Sequence, residues 1–110
     1  MKTVTLSSIV LGASLAASPL LLADAAASWT ADCAACHGSD GAGHTKVGRM
    51  VKVTDLTDAA TQKSFSDDVA FNDIKGGLTK DGVVKMKPFG DKLSDAEIKA
   101  LVAYVRTLAK

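Results

Sequence analysis

Cys33-Ala34-Ala35-Cys36-His37 constrains this chain more than any other feature. C-x-x-C-H is the attachment pattern of a c-type haem. Thiols three positions apart share one helical turn, and each can add across a haem vinyl group. The histidine that follows then points its imidazole at the iron from the proximal side. Two other readings of a cysteine pair are weaker. A redox disulfide of thioredoxin type wants a βαβ context, and none surrounds these residues. A structural zinc site wants four ligands. The chain has two Cys and two His, and His44, seven residues after His37, completes no zinc spacing.

The 110 residues make one small domain, preceded by a segment of different character. Lys2 is a minimal positive start, and Val4 to Leu22 is apolar or small, uncharged, and interrupted by Pro19 near its end. Small residues follow, as in a secretory signal peptide rather than a membrane helix. Ala23-Asp24-Ala25 and Ala25-Ala26-Ala27 both fit A-x-A, which would start the mature chain at Ala26 or Ser28. Cleavage after Ala23 would keep Asp24 as a helix N-cap. The expected division is a signal peptide over 1–23, cut somewhere between 23 and 27, and a haem domain over 24–110. So small a domain buries little surface by itself, and one covalently attached haem would supply the missing core. Export suits cysteines that end as thioethers, with no other Cys to mispair. A net charge of +1 gives no support to nucleic-acid binding, and no membrane span is expected after the signal.

The pattern predicts an all-α fold of about three to four helices. A first helix should run from about Asp24 to His37. A glycine-rich loop, Gly38 to Gly48, should lead into an irregular stretch to about Lys63. A helix should begin after Ser66 and end at Gly76-Gly77. Ser94-Asp95-Ala96-Glu97 is a capping box. After it Ile98, Leu101, Val102, Val105 and Leu108 recur at helical spacing, with Lys99, Arg106 and Lys110 off that stripe. Arg106 and Lys110 suit a helix C-terminus. No segment shows sustained strand alternation.

His37 fills one axial position, and the opposite one decides between electron transfer and chemistry on a bound ligand. Met86, Met50 and His44 are the candidates. Met86 lies 49 residues after His37, far enough for the chain to pass round the haem. Pro88 favours an extended loop there. Met50 reads as filler and His44 as a solvated loop residue, so Met86 is the expected sixth ligand.

With these motifs in hand, the chain resembles a small bacterial class I cytochrome c over nearly all of its mature length. The resemblance rests on Cys33-Ala34-Ala35-Cys36-His37-Gly38, on Asp40-Gly41-Ala42-Gly43, on the Met86-Lys87-Pro88-Phe89 loop and on the final Leu101-Val102-Ala103-Tyr104-Val105 helix. It implies haem c, His37/Met86 ligation and single-electron carriage in the periplasm. It also implies that the first and last helices cross through an aromatic pair, Trp29 and Tyr104. Two departures stand out. The loop after the haem motif lacks the proline whose carbonyl commonly accepts the His Nδ1–H, and Thr45-Lys46-Val47-Gly48 occupies that region. Lys87 also separates Met86 from Pro88.

The implied mechanism is outer-sphere electron transfer by a monomer that is not an enzyme, with redox proteins as donor and acceptor. Lys75, Lys80, Lys85, Lys87 and Lys92 would form a modest basic rim for an acidic partner, or ordinary surface charge. A haem sensor or weak peroxidase would need a displaceable sixth ligand, against which Met86 argues. A subunit of a larger redox complex would look the same in sequence.

Overall fold

A computed structural model describes residues 19–110; residues 1–18, most of the expected signal peptide, lie outside them. The chain order is α1 (Pro19–Ser28), a π-helical turn (Trp29–Cys33), α2 (Ala34–His37), α3 (Lys46–Val51), α4 (Ala59–Lys63), α5 (Asp67–Gly76), β1 (Leu78–Lys80), β2 (Val83–Met86) and α6 (Asp95–Thr107). Among the described residues no helix is long and apolar enough to cross a membrane.

The last helix is the frame. Ser94 Oγ accepts from Glu97 N–H at 3.1 Å, and Glu97 Oε1 accepts from Ser94 N–H at 3.0 Å, closing the expected capping box. Its apolar stripe puts Ile98, Leu101, Val102 and Val105 out of solvent, with Ile98 and Leu101 fully buried. Helix α1 packs across it, and Ala25 and Trp29 join the core cluster with Leu56, Phe89 and Leu93. The expected aromatic pair is there: the Trp29 and Tyr104 rings stand 5.6 Å apart, tilted by 45°. Such a pair contributes about 0.5–1.5 kcal/mol beyond the area it buries.

Arg106 does more than complement the helix end. Its guanidinium donates to the Gln62 carbonyl and Oε1, to the Phe65 carbonyl and to Asp67 Oδ1, and it lies over the Phe65 ring. Gln62 Nε2 donates to the Leu56 and Val105 carbonyls at 2.7 and 2.9 Å. This network ties the α4–α5 connection, which no regular element spans, to α6. A short-range sequence pattern carries no sign of it, because the partners are about forty residues apart.

Two elements differ from expectation. The first helix already includes Pro19, the first described residue, ahead of the expected start near Asp24, and it widens into a π turn at Trp29, where the Ala34 N–H reaches back to the Trp29 carbonyl. Single π turns occur often at functional positions. The fold is helical as expected, with the addition of a β-hairpin: β1 and β2 pair antiparallel, Lys80 opposite Val83 and Leu78 opposite Met86. Asp81 and Gly82 turn it with φ of 53° and 75°. Asp-Gly between β-formers is a strong hairpin signal, and the strands are too short for alternation to show.

The capping box has a pH signature. The Ser94 backbone N–H, and then its hydroxyl, hold the Glu97 carboxyl below its ordinary range. A carboxylate with a lowered folded pKa adds stability above its unfolded value, and that part is lost as pH falls through the folded value. Between neutral pH and about pH 3, the wild-type Tm should therefore fall further than that of Glu97→Gln, whose amide oxygen can still accept from Ser94. Parallel Tm profiles for the two proteins would contradict this role.

Candidate functional site

The motif turn is assembled from both sides. Ahead of it, the π turn carries Trp29 into the core, 3% exposed, and its indole Nε1–H donates to the Gly38 carbonyl at 3.0 Å. Behind it, Gly38 ends α2 at a positive φ of 83°, and Gly43 N–H donates to the His37 carbonyl at 2.7 Å. Thr45 then joins motif and loop. Its hydroxyl donates to the Cys36 carbonyl at 2.6 Å and accepts from Gly48 N–H at 2.8 Å as the N-cap of α3. The sequence reading passed over Thr45; a threonine directly before a short helix was the signal.

Gly48 is needed because α3 lies directly on the motif. A Cβ there would stand 2.5 Å from the Cys36 oxygen and 2.6 Å from the Gly43 oxygen. Gly48→Ala should therefore lower stability by about 1–3 kcal/mol in denaturant unfolding. Gly76→Ala, where an added Cβ meets nothing within 4 Å, should be close to neutral. Equal effects from the two would remove the argument from close approach.

Cys33 and Cys36 are both reduced and half-buried. Burial, then the Asp32 carboxylate, then Cys36 push the Cys33 thiol up to about 11. A redox-active dithiol needs a lowered pKa and a thiolate, so the electrostatics oppose the disulfide reading. Burial lowers the His37 pKa and keeps the imidazole neutral, the state that binds metal. Nδ1 is fully buried with no hydrogen-bond partner among the described residues, which leaves Nε2 as the nitrogen for a ligand. Among the described residues no group of three or more His, Cys, Asp or Glu could hold a metal ion. Two thiols and one imidazole on one turn, with no further ligand group beside them among the described residues, fit haem and fall short of a four-ligand zinc site.

Met86 is also on built ground. It ends β2, half-buried, and packs against the core cluster. The following loop is hung from the end of α5: Phe89 N–H donates to the Ile74 carbonyl at 2.9 Å and Gly90 N–H to the Lys75 carbonyl at 3.0 Å. Gly77, at φ 75°, lets the backbones meet, since a Cβ there would lie 2.6 Å from the Met86 oxygen. Met50, by contrast, is 70% exposed on α3, and His44 is exposed near Asp55.

The expected basic rim is smaller than the sequence suggests. Lys75 pairs with Asp95 and Lys92 with Asp32. Lys87 lies over the Phe89 ring. Lys80, Lys85 and Lys87 are the members of that group for which the structure gives no ion pair.

A helical shell closed by crossing first and last helices, with a C-x-x-C-H turn on its inner side, defines a small c-type cytochrome with a haem-binding, electron-transfer role. The chain belongs to the family described as cytochrome c oxidase, cbb3-type, subunit III, whose model matches residues 21–105. Among solved structures it is similar to the KustC0563 c-type cytochrome, at 32% identity and a TM-score of 0.70, over 78% of this chain and 98% of that one. A tyrosine-to-phenylalanine mutant of that cytochrome matches at 33% identity and a TM-score of 0.68, over 77% of this chain and 98% of that one. No curated protein gives a significant match.

Proposed function

We propose that this chain is a periplasmic single-electron carrier holding one haem c, attached through Cys33 and Cys36, with His37 and Met86 as axial ligands. The observation that carries the reading is the motif turn itself: two free, half-buried thiols and an imidazole whose Nδ1 is sealed in the interior, all on one short stretch of helix. Bound haem would supply a one-electron Fe(II)/Fe(III) couple, tuned upward by a thioether ligand and an apolar pocket. The protein's part is to hold both ligands still. Thr45, Gly43 and Trp29 fix the backbone around Cys36 and His37, and the α5 terminus fixes the loop after Met86. Rigid supports limit rearrangement between redox states and keep other ligands off. No side chain acts as an acid or base, and the protein is proposed not to be an enzyme.

Export follows from the expected signal peptide. Ala25, 3% exposed within the core, supports cleavage after Ala23, since later cleavage would remove it. Lys80, Lys85 and Lys87 would face an acidic redox partner in a small, transient encounter. The family's description as an oxidase subunit favours one second reading, a cytochrome unit within a larger redox complex. A partner that copurifies from native membranes would select that reading, and a monomer in the periplasmic fraction would select the free carrier.

Attachment is checked by mass. The exported protein should weigh the mature chain plus one haem, and the haem should survive acid–acetone extraction. A chain lacking that mass, or carrying a Cys33–Cys36 disulfide, would end this reading.

Ligation is checked by spectrum. Ferric protein should show the weak far-red band of a methionine–iron bond. Met86→Ala should abolish it, lower the potential and admit exogenous ligands, whereas Met50→Ala and His44→Ala should leave it intact. Loss of the band in either of the latter, with Met86→Ala unaffected, would reassign the ligand.

A further inference from the structure

We infer that Trp29 is a positioning residue for the His37 imidazole, setting the rotation of the ring that the proposed function makes the proximal ligand; the inference rests on that reading. A metal-ligating histidine almost always passes its second N–H to a carboxylate, a carbonyl or a water, and that bond fixes the ring's orientation. In this chain Nδ1 is fully buried, and no protein acceptor among the described residues reaches it. The task falls to packing.

The indole is built for it. Its centroid lies 5.5 Å from that of the imidazole, with the planes tilted by 42°, so it forms a wall on one side of the ring. Its Nε1–H donates to the carbonyl of Gly38, the residue that follows His37. The His37 carbonyl itself accepts from Gly43. The carbonyls of the two peptides after the His37 Cα are thus each tied by a separate donor, and the ring is left to turn only about its own side-chain bonds, against the indole. The indole is itself fixed, because it is buried and anchored to the motif backbone by its own N–H; Tyr104, at 5.6 Å, belongs to the helix crossing. A role limited to helix packing would need an aromatic ring facing Tyr104. It would not need a donor aimed at the motif backbone, nor contact with the imidazole.

The experiment compares two variants of the holoprotein by proton NMR and thermal unfolding. In ferric haem the pattern of methyl hyperfine shifts follows the plane of the bound imidazole. Trp29→Phe keeps a ring against Tyr104 but removes the indole donor and part of the wall. Tyr104→Leu loosens the same helix crossing from the other side. Trp29→Phe should change the methyl pattern. Tyr104→Leu should lower the Tm and leave the pattern as in wild type. An unchanged pattern in Trp29→Phe, or the same change in both variants, would overturn the positioning role.

If Trp29→Phe yields no holoprotein, the wild type in the diamagnetic ferrous state decides. Cross-relaxation between the indole and His37 ring protons, together with slow exchange of the indole N–H, is the expected result, and its absence overturns the role. The same spectrum separates this inference from the ligand assignment. His37 ring protons without a large haem ring-current shift would sink both. Shifted protons with an unchanged Trp29→Phe pattern would sink the positioning role alone.

Discussion

The indole of Trp29 stands where three parts of the chain meet: the first helix, the last helix and the turn that carries Cys33, Cys36 and His37. It packs against Tyr104 and against the imidazole, and it donates to the Gly38 carbonyl. Burial of so large a ring contributes several kcal/mol, of order 3–5 by the cost of truncating such residues. The consequence of its position is greater than that energy. The one ring serves two places, the helix crossing through Tyr104 and the motif turn through the Gly38 carbonyl and the imidazole.

Around that point the chain spends little regular structure. Helices α3 and α4 are single turns, capped by Thr45 and Asp58, and they gain order from hydrogen bonds reaching across the sequence rather than from length. Thr45 ties α3 to Cys36, and Arg106 with Gln62 ties the α4–α5 connection to α6. The loop after Met86 is secured in the same way on the end of α5. A small domain that cannot enclose a thick core relies on such cross-ties, and on a bound apolar group to complete the interior. The loops after the motif and after Met86 are held precisely because each is fastened to a helix end.

Much of this was legible in the chain. The α6 stripe and its capping box, the α5 boundaries at Ser66 and Gly77, and the Trp29–Tyr104 crossing all follow from local pattern or from family likeness. The hairpin at Leu78–Met86 was missed because its strands are shorter than the window in which alternation shows. The Asp81-Gly82 pair marked it all the same. The expected start of α1 near Asp24 is too late, because the helix already covers Pro19–Ala23. Arg106 was assigned to the helix dipole, a local effect, when its partners lie far back in the sequence.

The sequence by itself determined the motif: two thiols and an imidazole at fixed spacing on one turn. Covalent spacing and helical periodicity are local properties, and a linear reading captures them. Tertiary structure alone decided which groups go without partners. The absence of a proline after the motif was visible in the residues, but not its outcome, which is a buried Nδ1 with no acceptor and an indole wall beside it. It also reduced five nearby lysines to a smaller basic face by pairing Lys75 and Lys92 with Asp95 and Asp32. Hydrogen bonds and ion pairs are short-ranged in space and indifferent to separation along the chain, so only the folded arrangement settles which of them form.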